Sequence, residues 1–344
     1  MKVSCTRSSL SSVALVFGLI LALGYVSESA VANPNGLAKQ INPGLQAGFY
    51  NGRCRNKTLD IQAFIEDEVK NQYQIDQTIL PAFLRLQFHD CFVIGCDASI
   101  LINETSAEIT AGANAGVRGI DFIDALKVKV EAKCPGIVSC ADIIAICTKA
   151  VLKLGGGPDY PVQTGRRDGT RSNAQDVDLP SPFDVAQSFA FFKPKNFTLA
   201  EMVTLLGCHT IGIAHCRFFK YRLYNDTSEY DPNMDENLRQ KLMQTCPQND
   251  VASDNEAFLD QSEEIPHIEK FDISYFSQIL SERGLLPIDQ AIGRDPSTNT
   301  TVSDFVKDPT SFNTKLAQIM VKLQAVEVLT GVNGNIRKVC SKFN

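Results

Sequence analysis

A chain of 344 residues with 44% hydrophobic and 21% charged residues belongs with folded globular proteins rather than disordered, collagen-like or coiled-coil ones. At this length about 75% of the unfolded chain's surface can be buried, so neither metal nor disulfide is needed merely to offset small size. A net charge of -6 leaves no broad positive face for a phosphate backbone, which argues against nucleic-acid binding.

Lys2 and Arg7 precede an apolar run, Val13–Leu23, followed by small and polar residues. The run is too short for a bilayer core, which takes about 20 apolar residues in helix, and it reads as a secretory signal rather than a membrane anchor. Ala30 and Ala32 form a small-x-small pattern that places cleavage after residue 32 and the mature domain at 33–344; a buried N-terminal helix is the alternative. Of 11 cysteines, Cys5 leaves with the signal, and the other ten enter a compartment where disulfides persist. Spacing alone does not fix their pairing. Sequons begin at Asn56, Asn103, Asn196, Asn225 and Asn299, each a possible glycan site on a secreted chain. No second apolar span or lipid-anchor signal follows.

Helical periodicity begins at Leu59–Tyr73, where Leu59, Ala63, Phe64, Val69 and Tyr73 trace one face. Leu80–His89 predicts a second helix with Pro81 in its first turn. Gly119–Val130, Ser139–Leu152, Leu199–Gly207, Asn233–Thr245, Ile273–Leu280 and Thr310–Leu329 continue the pattern. The best strand candidate, Pro161–Thr164, is short and closed by Gly165. The segment from Arg166 to Phe183 lacks periodicity and predicts an ordered surface loop. The fold class is therefore all-α, with very little β-structure, as one unit or as two helical lobes sharing a cavity.

Within the second predicted helix, Arg85 and His89 stand four apart and share a face, placing a permanent cation beside a near-neutral acid/base. Leu84, Leu86 and Phe88 argue that this helix is substantially buried. Asp90, Asp97 and Ser99 follow, with turn carbonyls, as hard oxygen ligands of the kind calcium takes. Cys91 and Cys96 lie in the same loop; a redox thiol pair and a zinc site with His89 are alternatives, but neither spacing fits a common motif. The run Leu205–Cys216 (LLGCHTIGIAHC) delivers His209 on a helix beside Gly207 and Gly212, small residues that would let a large flat group approach. Such a histidine suits an axial ligand to haem iron if its other nitrogen has a carboxylate partner, the alternative being a satisfied core histidine. His215 and His267 read as surface or structural residues.

These residues resemble the plant secretory haem peroxidases, the class III family. RLQFHDCFVIGCDASIL (Arg85–Leu101) is similar to the family's distal signature and LLGCHTIGIAHC to its proximal one. RGIDFIDALKVKVEAKCPGIVSCADIIA, TGRRDG at Thr164–Gly169 and the motif around Asp289 extend the likeness from about Gln46 to Cys340. The resemblance implies a mainly helical fold whose two lobes enclose haem b. It implies His89 as distal acid/base, Arg85 as distal cation, Phe88 as the aromatic restricting access, and Asn114 as holder of the distal imidazole proton. It implies His209 as iron ligand with Asp289 its carboxylate partner, and Pro180 at the donor-binding edge. It implies distal calcium ligands at Asp90, Val93, Gly95, Asp97 and Ser99, with Val93 and Gly95 acting through backbone oxygens. It implies disulfides Cys54–Cys134, Cys91–Cys96, Cys140–Cys340 and Cys216–Cys246, leaving Cys147 and Cys208 as thiols.

The second calcium site departs from the family pattern. Thr210 and Asp272 match its first and last ligands, but counting back from Asp272 reaches Glu264 and His267, and a histidine is a poor calcium ligand. Asp260 is the substitute if the register shifts. The phenylalanine-rich SFAFFKPKNF is expected to alter access to the cavity, and the loop Asn114–Arg118 is one residue shorter than usual, which bears on the geometry of Asn114. A cysteine directly before His209 raises a thiolate ligand as an alternative.

The resemblance implies a secreted, monomeric enzyme, extracellular or in the cell wall with the vacuole as alternative. It would reduce hydrogen peroxide by two electrons and oxidise phenolic or other small aromatic donors in two one-electron steps, with no nucleic-acid partner and no membrane anchor. The main rival is an inactive relative keeping the scaffold as a secreted binding or wall protein. A secreted calcium-dependent hydrolase is disfavoured, since neither G-x-S-x-G nor His-Glu-x-x-His occurs.

Overall fold

The computed structural model describes residues 44–180, 183–225, 228, 230–249, 255–262 and 270–344. The signal segment 1–32, Glu264 and His267 lie outside them. Among the described residues are eleven α-helices and one two-stranded antiparallel sheet. None of these helices is long and apolar enough to cross a membrane.

Helix α1 (Ile61–Ile75) begins at Asp60, whose side chain accepts the Ala63 N–H at 3.0 Å, and buries Ile61, Ile65, Val69 and Tyr73. α2 (Ile79–Val93) buries Leu80, Phe83, Leu84, Leu86, Gln87 and Asp90, leaving Pro81, Ala82, Arg85, Phe88 and His89 less covered. That partly open stripe recurs at three- and four-residue intervals, so it is one helix face, and it holds Arg85, Phe88 and His89. α3 (Ile120–Lys133) leads to α4 (Cys140–Leu154), which Ser139 caps and whose residues Cys140–Leu152 are all buried. α4 is the central rod against which α1, α2 and α3 pack.

The second half holds α5 (Val185–Phe192), α6 (Leu199–Leu206), α7 (Glu236–Thr245), α8 (Ser274–Leu280), α9 (Pro287–Arg294), α10 (Asn299–Lys307) and α11 (Pro309–Leu323). A reciprocal capping box between Thr198 and Glu201 starts α6. Strands β1 (Ile213–His215) and β2 (Glu256–Phe258) pair with Ile213 opposite Phe258. One continuous apolar cluster joins Tyr50 and α1 to α11 and Cys340, and a smaller one surrounds Cys216 and Cys246.

Three expectations need correction. Pro161–Thr164 is not a strand; Thr164 makes only an isolated bridge to Gln46, and the strands lie elsewhere. The segment opening at Arg166 is not all surface: Arg166 and Asp168 are buried, and only the later part, around the short 3-10 turn Ala174–Asp176, is more open. The last helix ends at Leu323 rather than Leu329, because Gln324 turns inward to donate to the Ala145 carbonyl and the Tyr160 hydroxyl at 3.1 and 3.2 Å. Helices α5, α9 and α10 had no counterpart in the periodicity.

The TGRRDG motif ties the chain ends to α4. Arg166 Nη1 donates to Asp142 Oδ1 at 2.7 Å and Arg166 Nε to the Gln324 carbonyl at 2.8 Å. Tyr50 and the Gly165 N–H donate to Asp142 Oδ2 at 2.5 and 2.6 Å. Two residues on, Asp168 accepts the N–H groups of Ala141 and Arg337 at 3.0 and 2.8 Å. Removing one partner of a buried ion pair strands the other, so Arg166→Ala is expected to destabilise the fold by about 3–5 kcal/mol. Urea unfolding measures this; a change within error would show that Asp142 finds other partners.

Candidate active site

His89 and Arg85 project from the open face of α2. His89 Nδ1 lies 2.7 Å from Asn114 Oδ1, and Asn114 Nδ2 donates to the Glu108 carbonyl at 2.7 Å. The second bond orients the amide, so Oδ1 faces the ring and can only accept; the proton therefore sits on His89 Nδ1 and Nε2 keeps its lone pair. The shorter loop accommodates this geometry: Asn114 ends a 3-10 turn, Gly112–Asn114, and is buried. Arg85 Nε donates to His89 Nε2 at 3.3 Å, while its Nη2 reaches the carbonyls of Ala113 and Ala115 at 3.2 and 3.0 Å. Burial and the Arg85 charge push the His89 imidazolium down to about 4, partly offset by Asn114. Burial also lowers Arg85 somewhat, as does the like charge of Arg217, although a guanidinium stays protonated throughout the working range.

Phe88 stacks on Phe92 at 4.1 Å between ring centroids. Phe192 and Phe197 pack behind this pair, 4.7 and 5.7 Å from Phe92. These two residues of the phenylalanine-rich segment are themselves buried in the core. Pro180 is half-buried, and Phe183 just beyond it is exposed, its ring 6.0 Å from Tyr221.

His209 does not stand on a helix. It occupies a 3-10 turn, Gly207–Thr210, that tightens the end of α6. Its Nδ1 donates to Asp289 Oδ1 at 2.8 Å, which leaves Nε2 free to act as a ligand. Asp289 is fully buried in the first turn of α9, where its Oδ2 accepts the Leu286 N–H at 3.0 Å. An anion at a helix N-terminus is favoured there. Tyr275, from α8, also donates to Asp289 Oδ1 at 2.9 Å, and burial and the Asp289 charge raise its phenol well above the usual range. Gly207 and Gly212 have other reasons to be glycine than the approach of a flat group. A Cβ at Gly207 would lie 2.6 Å from the Phe312 ring and 2.7 Å from that of Phe276; Gly212 has φ +95°.

Two oxygen-rich clusters flank these histidines. In the first, Asp90, Asp97 and Ser99 are buried together with Glu108. Asp90 Oδ1, Ser99 Oγ and both Glu108 oxygens have no hydrogen-bond partner of good geometry. Burial and mutual repulsion raise Asp90 and push Glu108 up to about 7. Orphaned, crowded carboxylate oxygens with an adjacent hydroxyl are what a hard divalent cation satisfies, so the residues fit calcium. Gly95, at φ +111°, makes the turn, its carbonyl accepting the Asp97 N–H at 2.8 Å, while the Val93 carbonyl lies 3.5 Å from Lys195 Nζ. In the second cluster, Thr210 Oγ1 donates to Asp272 Oδ1 at 3.3 Å and Ser274 Oγ to the same oxygen at 2.5 Å. The same hydroxyl also lies against Asp260, which is buried, so its one proton is shared between the two carboxylates. Asp260 therefore joins Thr210 and Asp272, while Glu264 lies outside the described residues.

The structure contains the disulfides Cys54–Cys134, Cys91–Cys96, Cys140–Cys340 and Cys216–Cys246. The bond between Cys91 and Cys96 removes them as zinc ligands. His215 sits half-buried in β1. Sequence reasoning missed Glu108, Tyr275 and Ser274; the last two fall within the periodic stretch Ile273–Leu280, but periodicity gave them no chemical role.

A mostly helical fold in which one histidine is backed by a buried carboxylate and another, beside an arginine, by an asparagine is the architecture of a haem peroxidase. A family model described as peroxidase matches residues 62–308. Peroxidase 57 of Arabidopsis thaliana is 40% identical over 303 residues, covering 87% of this chain and 93% of its own length. Peroxidase 28 of the same plant is 42% identical over 308 residues, with 87% and 93% covered. Peroxidase N1 of Nicotiana tabacum is 39% identical over 312 residues, with 88% and 92% covered. The chain belongs to the peroxidase family, among the plant class III haem peroxidases.

Burial pushes the Cys208 thiol up to about 12 and the Cys147 thiol higher still, so both stay neutral at physiological pH. A thiolate rival to His209 is thereby disfavoured. An aromatic disulfide reagent at pH 8 should leave both thiols of the native protein unmodified for minutes and titrate both in denaturant. Rapid native reaction of Cys208 would contradict its neutrality.

Proposed function

We propose that the chain reduces hydrogen peroxide by two electrons and oxidises phenolic or other small aromatic donors in two one-electron steps. When bound, haem b supplies the redox iron at which the peroxide O–O bond is cleaved. His209 Nε2 is the nitrogen left to hold that iron, because Nδ1 is committed to Asp289. On the distal side, His89 Nε2 takes a proton from peroxide and returns it to the departing oxygen, so that water leaves. Asn114 keeps the other ring proton in place during this transfer, and Arg85 balances the negative charge that develops on oxygen. Phe88 restricts access, and donors meet the cavity at the edge marked by Pro180. The observation that carries this reading is the pair of opposite commitments, His89 Nδ1 to Asn114 at 2.7 Å and His209 Nδ1 to Asp289 at 2.8 Å. A binding protein that kept only the scaffold would need neither.

The same reading assigns one calcium to Asp90, Val93, Gly95, Asp97 and Ser99. It assigns a weaker one to Thr210, Asp272 and Asp260, with Glu264 as an alternative ligand. The weaker assignment follows from hydrogen bonding, since Asp260 Oδ1 and Asp272 Oδ1 already accept the backbone N–H groups of Ser262 and Ser274 at 2.9 Å each, whereas the distal oxygens are orphaned. Secretion through a signal at 1–32 accords with exposed sequon residues Asn56, Asn103, Asn196 and Asn225, and with a half-buried Asn299. We infer an extracellular or wall-bound monomer.

Stopped-flow absorbance of the haem band on mixing with peroxide tests the catalytic assignment. His89→Leu should slow the reaction by at least about 10²–10⁴-fold, the typical worth of a placed acid/base; equal rates would sink the role. Because His89 must be neutral to accept the proton, the wild-type rate should be flat above and fall below an apparent pKa of about 4. Arg85→Leu removes one cause of the depression and should move that limb to higher pH. For calcium, elemental analysis during stepwise chelation should show one ion lost early and one retained, the retained ion disappearing in Asp90→Asn. Two ions resisting chelation equally would contradict the assignment.

A further inference from the structure

The carboxylate behind His209 serves three donors. Asp289 Oδ2 accepts the Leu286 N–H at 3.0 Å, and Oδ1 accepts both His209 Nδ1 at 2.8 Å and the Tyr275 hydroxyl at 2.9 Å. Tyr275 and Asp289 are both buried, so water does not dilute these bonds. The Tyr275 ring also meets the His209 ring edge-on, with centroids 6.0 Å apart and planes at 88°.

We propose that Tyr275 is a positioning residue that sets how strongly His209 donates electrons, acting through the Asp289 oxygen the two side chains share. This rests on the reading of His209 as the haem ligand. A carboxylate oxygen receiving a second hydrogen bond is a weaker base toward the first donor. The phenol hydroxyl therefore limits how far Asp289 draws the Nδ1 proton, and with it how anionic the imidazole becomes. Outer partners of a metal-binding histidine tune ligand basicity in this way. The sign follows directly. Without the hydroxyl, Asp289 pulls harder on Nδ1–H, His209 becomes more imidazolate-like, and the ferric state gains relative to the ferrous one. A stronger donor at the same position has the opposite effect. A merely structural tyrosine would produce no such pair of opposed shifts, since Tyr275→Phe keeps the ring and 3-fluorotyrosine changes little but hydroxyl acidity.

The experiment uses haem-loaded protein in three forms: wild type, Tyr275→Phe, and Tyr275 replaced by 3-fluorotyrosine. Two quantities are read, the ferric/ferrous midpoint potential and the iron–imidazole stretching frequency of the ferrous form by resonance Raman. Tyr275→Phe should lower the potential and raise the frequency, and 3-fluorotyrosine should raise the potential and lower the frequency. If the phenylalanine variant does not fold, the fluorinated protein decides alone. Unchanged values, or shifts of one sign in both variants, overturn the proposal while the wild-type band still identifies His209 as the ligand. A haem-loaded wild type with no iron–imidazole band overturns the ligand reading, and the proposal with it.

Discussion

The hydrogen bond from His209 Nδ1 to Asp289 is the constraint on which the site depends. An imidazole offers two nitrogens, and only when one is spoken for does the other have a defined role. Asp289 is a pure acceptor, so the proton stays on Nδ1 and Nε2 keeps its lone pair. Three separate pieces of chain hold this arrangement: the turn after α6 presents the ring, α9 supplies the carboxylate, and α8 adds the phenol. Asp289 would be an expensive buried charge without these donors and the helix N-terminus it caps.

The distal histidine is fixed by the same logic with a neutral acceptor, and the difference has a chemical consequence. A carboxylate in place of Asn114 would favour the imidazolium, which cannot take up a proton. An amide orients the ring without adding charge, and Arg85 and burial complete the depression to about 4. Through the Glu108 carbonyl the asparagine is joined to the cluster of buried carboxylates at Asp90 and Asp97. The orientation of the His89 imidazole and the electrostatics of that cluster thus share one residue.

Most of the helical fold is legible in the sequence, because long amphipathic helices advertise their buried faces. Periodicity does not single out α5, α9 and α10, although it does single out α6 and α8, which at eight and seven residues are as short. Arg85 and His89 are legible as a pair because one helix face carries both. Their partners are not: Asn114 lies 25 residues from His89 and Asp289 lies 80 from His209, and only the family resemblance connects them. Glu108 and Tyr275 contribute through tertiary packing alone, which leaves no trace in spacing.

The proximal oxygen cluster shows what sheet pairing adds to interval counting. Counting back from Asp272 assumes that the intervening chain has a fixed length. Asp260, however, is placed from the other side. β2 pairs with β1, and the Leu259 N–H then donates to the Gly212 carbonyl at 3.0 Å, which brings residue 260 beside the Thr210 turn whatever the length of chain before Asp272. Ser274 closes the cluster by bonding both carboxylates, and it is the first residue of α8. Tyr275 is the next. The residues that gather oxygens near Thr210 therefore also start the helix that delivers a hydroxyl to Asp289, so a shift of Ser274 reaches the carboxylate behind His209 through a single peptide bond and one side chain, and a shift of Asp272 through three peptide bonds and the same side chain.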